Sequence, residues 1–178
     1  RNRKLMRVIA DLQIHSKYSR ACSQDLLPGN IGKWADKKGI MIIGTGDFTH
    51  PLWLRELKDA LEETKPRLYQ LKDKSAKAYF LLSAEVSSIY KQGDKVRRIH
   101  NMILAPNLEV VDKIIAGLEK VGVNLKSDGR PIMGVHCAEL VKIVKDADSA
   151  AEIIPAHAWT PHFGLFGSLS GFDSVEES

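Results

Sequence analysis

Short apolar runs alternate with amphipathic segments along this chain, and the alternation predicts a β/α architecture. The run Ile40–Gly44 is entirely apolar, as expected of a parallel strand that is buried on both faces. The predicted strands are Met6–Ile14, Ile40–Gly44, Tyr79–Ser83, Val86–Tyr90, Val96–Ala105, Ile132–Val135 and Ile153–Ala156.

Four amphipathic segments between these runs predict helices. Gly39 is placed to end the first helix, and Asn107 and Gly122 bound the third. The predicted helices are Ile31–Lys38, Leu52–Glu63, the segment from Asn107 through Val121, and Ala138–Lys145. The predicted connections include a hairpin turn at Gln92-Gly93-Asp94, a turn at Ser127–Arg130 and a long loop at Trp159–Glu176.

The composition favours one globular domain over residues 1–178, because 44% of the residues are apolar and 27% are charged. The formal net charge of +4 suits a nucleic acid or another phosphate-bearing partner, although many other proteins share such an excess. The two cysteines form no metal-binding or disulfide pattern, so a reducing cytoplasm is expected. The apolar runs are shorter than the roughly 20 residues that span a bilayer, so no membrane partner is expected.

Histidines and carboxylates follow the predicted strands at equivalent positions. In α/β barrels such side chains gather at one rim, because the C-terminal ends of the strands face the same side. Imidazole and carboxylate groups that converge there would bind Zn²⁺, Mn²⁺ or Mg²⁺. The candidate metal ligands are His15, Asp47, His50, Glu85, His100 and His157.

Each candidate also has an ordinary structural interpretation. A single histidine at a strand end is usually a hydrogen-bonded structural residue. Asp47 could cap a turn, and Glu85 could form an ion pair. His136 precedes a helix, as a surface residue would, and His162 lies in the last loop, where it could contact substrate. The joint placement of the six candidates favours the metal site.

Five segments resemble, in order, the motifs of the PHP (polymerase and histidinol phosphatase) superfamily. The resemblance covers nearly the whole chain and is greatest to the endonuclease Q family and its bacterial relatives. Its most specific parts are His15–Ser23 and Ile154–Glu177. The five segments are Asp11–Ser16, Gly44–Pro51, Ser83–Glu85, Arg98–Asn101 and Pro155–His157.

The resemblance implies a distorted (β/α)7 barrel of PHP type, incomplete in this chain, with two or three divalent metal ions. It also implies a DNA partner with damaged bases. Cleavage would break the phosphodiester bond on the 5′ side of a deaminated base (hypoxanthine, uracil or xanthine) or of an abasic site. Relatives carry a zinc-binding module and further sequence after this domain.

Two departures from the superfamily pattern affect the expected metal set. Gln13 stands where the first motif usually has a histidine, and a neutral amide is a poor zinc ligand. The superfamily's last motif, Asp-x-His, would follow Ser178. We therefore expect an incomplete cluster and an inactive chain when residues 1–178 are isolated.

The expected mechanism is metal-assisted hydrolysis, with Glu85 as the catalytic carboxylate that bridges two metals. Asp47 would be a ligand or would orient a histidine. The candidate substrate-binding residues are Lys17, Tyr18 and Arg20 for phosphate and Trp159, His162 and Phe166 for the base. Alternatively, the phosphate-binding candidates lie in a solvated loop. The aromatic residues, together with Phe163, would form a cluster that anchors the C-terminal loop. Lys91, Lys95, Arg97 and Arg98 form a basic hairpin that would track DNA or be a solvated face.

Three functions stay open on the sequence. They are a DNA repair endonuclease, a small-molecule phosphoesterase, and a degenerate PHP module without catalysis, which Gln13 would permit. The aromatic loop and the basic charge favour the endonuclease over the phosphoesterase.

Overall fold

The computed structural model describes residues 6–178, so the first five residues of the predicted domain lie outside it. The strands are β1 Ala10–Asp11, β2 Ile42–Gly44, β3 Leu61–Lys65, β4 Leu68–Leu71, β5 Tyr79–Gln92, β6 Lys95–Ala105, β7 Ile132–Met133 and β8 Glu152–Pro155. The helices are α1 Pro28–Lys38, α2 Pro51–Ala60, α3 Leu108–Lys120 and α4 Cys137–Ala147, with a 3-10 turn at Val175–Glu177.

The eight strands form one mixed sheet around the long strand β5. Strand β2 pairs with β5 in parallel and joins it to β1, while β4 and β6 pair with β5 in antiparallel fashion. Strand β7 pairs with the second half of β5, and β8 pairs with β6. Residues 6–178 therefore form an open mixed α/β sheet, and the predicted distorted (β/α)7 barrel of PHP type, incomplete in this chain, is not confirmed.

The four predicted helices are present, although several of their ends differ from the prediction, and the end of α2 differs for a reason in the tertiary structure. Helix α2 ends at Ala60 rather than Glu63, because Leu61–Lys65 pairs with Leu68–Leu71 as a hairpin that the sequence pattern did not predict. Leu61 continues the apolar spacing of α2, yet it is buried on β3. A leucine spaced for a helix can also occupy the inward face of a strand, so tertiary pairing decided this boundary.

The predicted strands differ mainly in length. Strand β1 covers Ala10–Asp11 instead of Met6–Ile14, since it pairs only with β2 and leaves Met6 exposed. The segments predicted separately before and after Glu85 form one continuous strand, β5. The predicted hairpin between β5 and β6 is confirmed, and its register places Ser87 opposite His100.

The main core lies between the sheet and the helices, and a smaller cluster lies beneath the C-terminal loop. Phe48, Trp53 and Phe80 are completely buried in the main core. Burial of each such side chain contributes roughly 1.5–3 kcal/mol. The smaller cluster consists of Tyr90, Ile99, Cys137, Leu165 and Phe172, and it attaches the C-terminal loop to β5 and β6.

Across residues 6–178 the longest helix, α3, has 13 residues, and none of the helices could cross a bilayer.

Candidate metal centre

Three histidine rings converge on the buried carboxylate of Glu85. The Nε2 atom of His15 lies 3.0 Å from Oε2 of Glu85, and the Nδ1 atom of His100 lies 2.7 Å from Oε1. The Nε2 atom of His157 lies 3.6 Å from the same Oε1. Glu85 itself is only 3% exposed, so these contacts occur largely away from solvent.

The order of the strands explains this convergence. Glu85 lies on β5, and His100 lies on the antiparallel neighbour β6. His157 follows β8, which pairs with β6, and the amide of Ala156 donates to the carbonyl of His100 at 2.9 Å. His15 follows β1, which is joined to β5 through β2 on the other edge of that strand. Side chains that are far apart in the sequence are thus brought to the two carboxylate oxygens of Glu85, His15 to Oε2 and the other two histidines to Oε1.

The donor set fits a bound divalent cation. Glu85, His100 and His157 each offer a ligand atom, and these atoms lie within 4.8 Å of one another. The facing nitrogen atoms of His100 and His157 are 3.3 Å apart. Two imidazole nitrogens and a carboxylate oxygen are ligands that zinc and other transition metals accept. The site thus fits the predicted metal binding, with the Nε2 atom of His15 directed at the same carboxylate.

Asp47 holds the His15 ring in place. Its carboxylate is fully buried, and its Oδ1 atom is 2.9 Å from the Nδ1 atom of His15. Its Oδ2 atom accepts hydrogen bonds from the amide of Ser16 at 2.6 Å and the hydroxyl of Ser19 at 2.9 Å. A carboxylate that accepts a hydrogen bond from Nδ1 orients the ring so that Nε2 points toward the metal site. The geometry therefore favours the orienting role for Asp47 over direct ligation.

The charges of the site stabilise one another. Hydrogen bonds to Asp47 and Glu85 raise the pKa of His15 from 6.5 to about 9. Burial disfavours the ionised form of Glu85, yet hydrogen bonds from His100 and His15 hold its pKa well below the usual range. Burial lowers the pKa of His100, and the neutral imidazole that this favours is the form that binds metals.

His50 lies apart from the group formed by Glu85, His100 and His157. Its ring stacks on Tyr18, with centroids 4.3 Å apart, and burial lowers its pKa. Its Nδ1 atom is buried and has no hydrogen-bond partner within residues 6–178. Its role as a metal ligand stays a prediction.

The candidate phosphate-binding residues have different surroundings. Lys17 forms a 2.9 Å ion pair with Glu56, and the Tyr18 hydroxyl donates to the same carboxylate at 2.6 Å, which raises the pKa of Tyr18 to about 12. Arg20 is exposed and lines a cleft that also contains His100.

The C-terminal loop carries the candidate base-binding residues. Trp159 is 81% exposed, His162 is exposed, and Phe166 is half-buried at 6.2 Å from the Trp159 ring. Phe163 stacks on His100, with centroids 4.3 Å apart, and its carbonyl accepts from the His100 amide. The loop therefore packs directly on one candidate metal ligand, and contact of its other aromatic residues with a base stays a prediction.

Of the four basic residues of the β5–β6 hairpin, one packs against the C-terminal loop and three are exposed. The guanidinium of Arg97 donates to the carbonyl of Gly171 and lies 4.1 Å from the centre of the Phe172 ring. Lys91, Lys95 and Arg98 are exposed. Arg97 thus anchors the C-terminal loop, and a DNA-tracking role stays a prediction for the hairpin.

Sequence reasoning missed the contribution of the Ser127–Arg130 turn. The guanidinium of Arg130 lies 3.9 Å from Oε2 of Glu85, and the backbone of Gly129 packs against the carboxylate of Asp47. The Asp-Gly pair indicated a turn but contained no signal for where that turn would pack. His136, predicted to be a surface residue, is exposed and stacks on Tyr90.

Comparison with known proteins finds one uncharacterized relative and two solved endonuclease structures. It is 36% identical over 151 residues to an uncharacterized protein of Methanocaldococcus jannaschii, a match that covers 85% of this chain and 16% of that protein. The structure superimposes on the lesion-specific endonuclease PfuEndoQ of Pyrococcus furiosus with a TM-score of 0.79 and 29% identity, which covers 96% of this chain and 38% of that one. None of the protein-family sequence profiles matches.

A second solved structure is endonuclease Q in complex with a 27-mer duplex that has an abasic lesion at the active site. Its TM-score is 0.80 at 29% identity, over 96% of this chain and 39% of the enzyme chain. The chain therefore has an endonuclease Q-like fold and spans less than half the length of the proteins that it matches.

Proposed function

We propose that this chain is the metal-binding part of a DNA repair endonuclease. The observation that supports this proposal is the convergence of three histidines on buried Glu85, within the fold of an enzyme whose substrate complex contains abasic duplex DNA. The proposed reaction is hydrolysis of a phosphodiester bond on the 5′ side of a deaminated base or an abasic site. The PHP-type ligand arrangement that the sequence resembles is part of this proposal.

Four residues would hold the metal: His15, Glu85, His100 and His157. When bound, a divalent ion lowers the pKa of a coordinated water and offsets the charge on the leaving oxygen. The proposed ions are Zn²⁺, Mn²⁺ or Mg²⁺, two or three in number, with His50 as a further candidate ligand. The His-rich donor set favours a transition metal over Mg²⁺ for the group around Glu85.

The chain's own residues prepare this site before substrate arrives. Asp47 accepts a hydrogen bond from the Nδ1 atom of His15 and keeps the Nε2 atom of that ring directed at Glu85. Phe163 stacks on His100 and restricts the orientation of that ring. Ligands that are held in this way lose little conformational freedom when they coordinate an ion, which favours tight binding.

Damaged duplex DNA is the proposed partner. Trp159 is exposed at the rim beside His157, and exposed aromatic rings can stack on an extruded or unpaired base. Trp159, His162 and Phe166 would contact the lesion, and Lys17, Tyr18 and Arg20 the phosphates. Because a base that is damaged or absent costs less to unstack, a stacking surface would favour damaged sites.

The direct test is cleavage of labelled duplexes that carry one hypoxanthine, one uracil or one abasic site. The protein at its natural length is incubated with Mg²⁺, Mn²⁺ or Zn²⁺, and the products are sized on a denaturing gel. We expect metal-dependent incision on the 5′ side of the lesion. Glu85→Gln should reduce incision at least about 100-fold, because it removes the charge on which the histidines converge.

The matched control is Glu109→Gln, which removes an exposed glutamate on α3. It should leave incision unchanged, and Glu85→Gln should leave duplex binding within about twofold. Wild-type turnover in Glu85→Gln would contradict the assignment of the site. Hydrolysis of a small phosphomonoester without any incision of DNA would contradict the endonuclease proposal.

A further inference from the structure

A cleft with a volume of about 210 Å³ opens beside the candidate metal centre. Two arginines, Arg20 and Arg130, line it together with His100 and Phe163. The two arginines come from segments more than 100 residues apart, the loop after His15 and the turn before β7. The cleft thus combines two positive charges with one face of the metal centre.

Asp128 connects these two arginine segments through its carboxylate. Its Oδ2 atom accepts a hydrogen bond from the backbone amide of Arg20 at 3.2 Å, and its Oδ1 atom accepts one from the amide of Arg130 at 2.9 Å. The amide of Gly129 also donates to the carbonyl of Tyr18 at 3.0 Å. Three hydrogen bonds therefore hold the backbones of the two arginines at a defined separation.

Gly129 fixes the same turn against the metal centre. A Cβ atom at this position would lie 2.4 Å from Oδ2 of Asp47 and 2.5 Å from the Ser19 hydroxyl. Such distances are too short for non-bonded atoms, so only glycine lets the backbone approach this closely. The position of the Asp128–Arg130 turn is consequently fixed relative to the Asp47 carboxylate, which orients His15.

The guanidinium of Arg130 stays available to a ligand. Its NH1 atom lies 3.9 Å from Oε2 of Glu85, which is beyond hydrogen-bond distance, and its side chain is 38% exposed. A guanidinium presents its donors in a planar fork that matches two oxygen atoms of a phosphate. Arg130 thus lines the cleft beside Glu85, and its guanidinium makes no hydrogen bond to other side chains or to the backbone within residues 6–178.

We propose that Arg130 and Arg20 bind the non-bridging oxygens of the phosphate that is cleaved, and that Asp128 is a positioning residue that sets their separation. The inference rests on the proposed function and specifies the phosphate subsite of that site. The segment His15–Arg20 would then supply both a metal ligand and a phosphate contact.

Removal of the Asp128 charge distinguishes a positioning role of this residue from a purely electrostatic one, because the two roles predict opposite changes in phosphate affinity. Asp128 adds a negative charge to a cleft that would bind an anion, so its removal should strengthen phosphate binding if charge alone matters. If Asp128 positions the two arginines, its removal should weaken phosphate binding despite the gain in positive charge. The sign of this change separates the two roles.

The test measures binding of inorganic phosphate to the Zn²⁺-loaded protein by calorimetry and binding of an abasic duplex by fluorescence anisotropy. Arg130→Ala should weaken both about tenfold, since it removes charge-assisted hydrogen bonds, and should lower the salt slope of duplex binding by about 1. Arg130→Lys, which keeps the charge without the fork, should recover only part of the affinity. Arg67→Ala, in the exposed turn between β3 and β4, is the matched control and should change neither.

Asp128→Asn should weaken phosphate binding about threefold, and Asp128→Ala about fivefold, with an unchanged Zn²⁺ content. Asp128→Asn retains one side-chain acceptor, so it provides the sign test even if Asp128→Ala does not fold. Tighter phosphate binding in Asp128→Asn would refute the positioning role, and wild-type phosphate affinity in Arg130→Ala would refute the subsite. Arg130-dependent phosphate binding without binding or incision of the duplex would support the subsite and contradict the proposed function.

Discussion

The two sides of Glu85 are built differently. On the His15 side, Asp47 is completely buried and accepts hydrogen bonds from an imidazole, a backbone amide and a hydroxyl. On the opposite side, His100 and His157 turn their nitrogen atoms toward each other and toward the same oxygen of Glu85. The first side is saturated with protein contacts, and the second presents donor atoms that an ion would bind.

This difference indicates a division between support and binding. A buried carboxylate with all its partners in place contributes to stability, and its loss leaves donors without acceptors. The His157 side chain, which is partly exposed and lies 3.6 Å from Glu85, contributes little to the stability of the metal-free protein and becomes useful when a cation binds. We therefore expect substitution of Asp47 to reduce stability as well as metal affinity, and substitution of His157 to reduce mainly metal affinity.

Asp47→Asn should have the largest effect on stability. Asparagine tolerates the left-handed backbone of this residue (φ 48°), so the substitution tests the charge rather than the turn. The substitution removes the charge of a buried carboxylate, while the three groups that donate hydrogen bonds to it remain. The free energy of unfolding should therefore fall by about 3 kcal/mol. Denaturant unfolding measures this, and zinc affinity should fall about 10- to 100-fold. Asp112→Asn, at an exposed ion pair with Lys58, should change both very little.

The metal-free protein should lose stability as the pH rises from about 6.5 to 9. The folded pKa of His15 is raised to about 9 from 6.5, so its stabilising interaction is fully present below pH 6.5. The loss should be on the order of 2 kcal/mol and should appear in unfolding curves measured at several pH values. In Asp47→Asn the dependence should be smaller, because the first cause of the shift is removed. An equal pH dependence in the two proteins would contradict the assigned cause.

Gly129→Ala should reduce stability by about 1–3 kcal/mol, since its Cβ would displace either the turn or the Asp47 carboxylate. Metal affinity should fall in parallel, because the His15 ring depends on that carboxylate. Gly134→Ala is the matched control, as nothing lies within 4 Å of its Cβ position. Thermal unfolding and zinc titration of the two variants test the expected difference. Equal behaviour would show that the turn is not packed as described.

His157→Ala should have the smallest effect on stability, within about 0.5 kcal/mol, because the residue lies at the surface and its contact with Glu85 is long, at 3.6 Å. Its zinc affinity should nevertheless fall at least about tenfold, since one of the three grouped ligands is lost. Calorimetric unfolding without metal, followed by zinc titration, measures the two effects separately. A stability loss as large as that of Asp47→Asn would remove the distinction between the two sides.

Local patterns predicted much of the fold because their causes are local. Apolar periodicity predicted all four helices, and Asn107 caps α3 through a side-chain oxygen that accepts from the Val110 amide. The Gln92-Gly93-Asp94 turn predicted the hairpin of β5 and β6, because glycine adopts the positive φ required there. The β3–β4 hairpin was missed, because its short strands carry no clear alternation and it joins the sheet only through the pairing of β4 with β5.

The candidate ligands could likewise be predicted in part. Histidines after apolar runs indicated a rim, and the structure brings His15, His100 and His157 to Glu85, while His50 stacks on Tyr18. Arg130 was missed because only the packing of Gly129 on Asp47 brings it beside Glu85. A turn motif specifies backbone conformation and not the neighbour against which the turn packs.

The sequence alone determined the chemistry available to this protein: buried apolar strands, a set of histidines and carboxylates after them, and an aromatic C-terminal loop. Those properties depend on side-chain identity and short-range periodicity. Only the tertiary structure decided which groups meet, since contacts between His15, Glu85 and His157 depend on strand order and register rather than on spacing along the chain. The division between the saturated Asp47 side and the open His157 side is therefore a property of the fold.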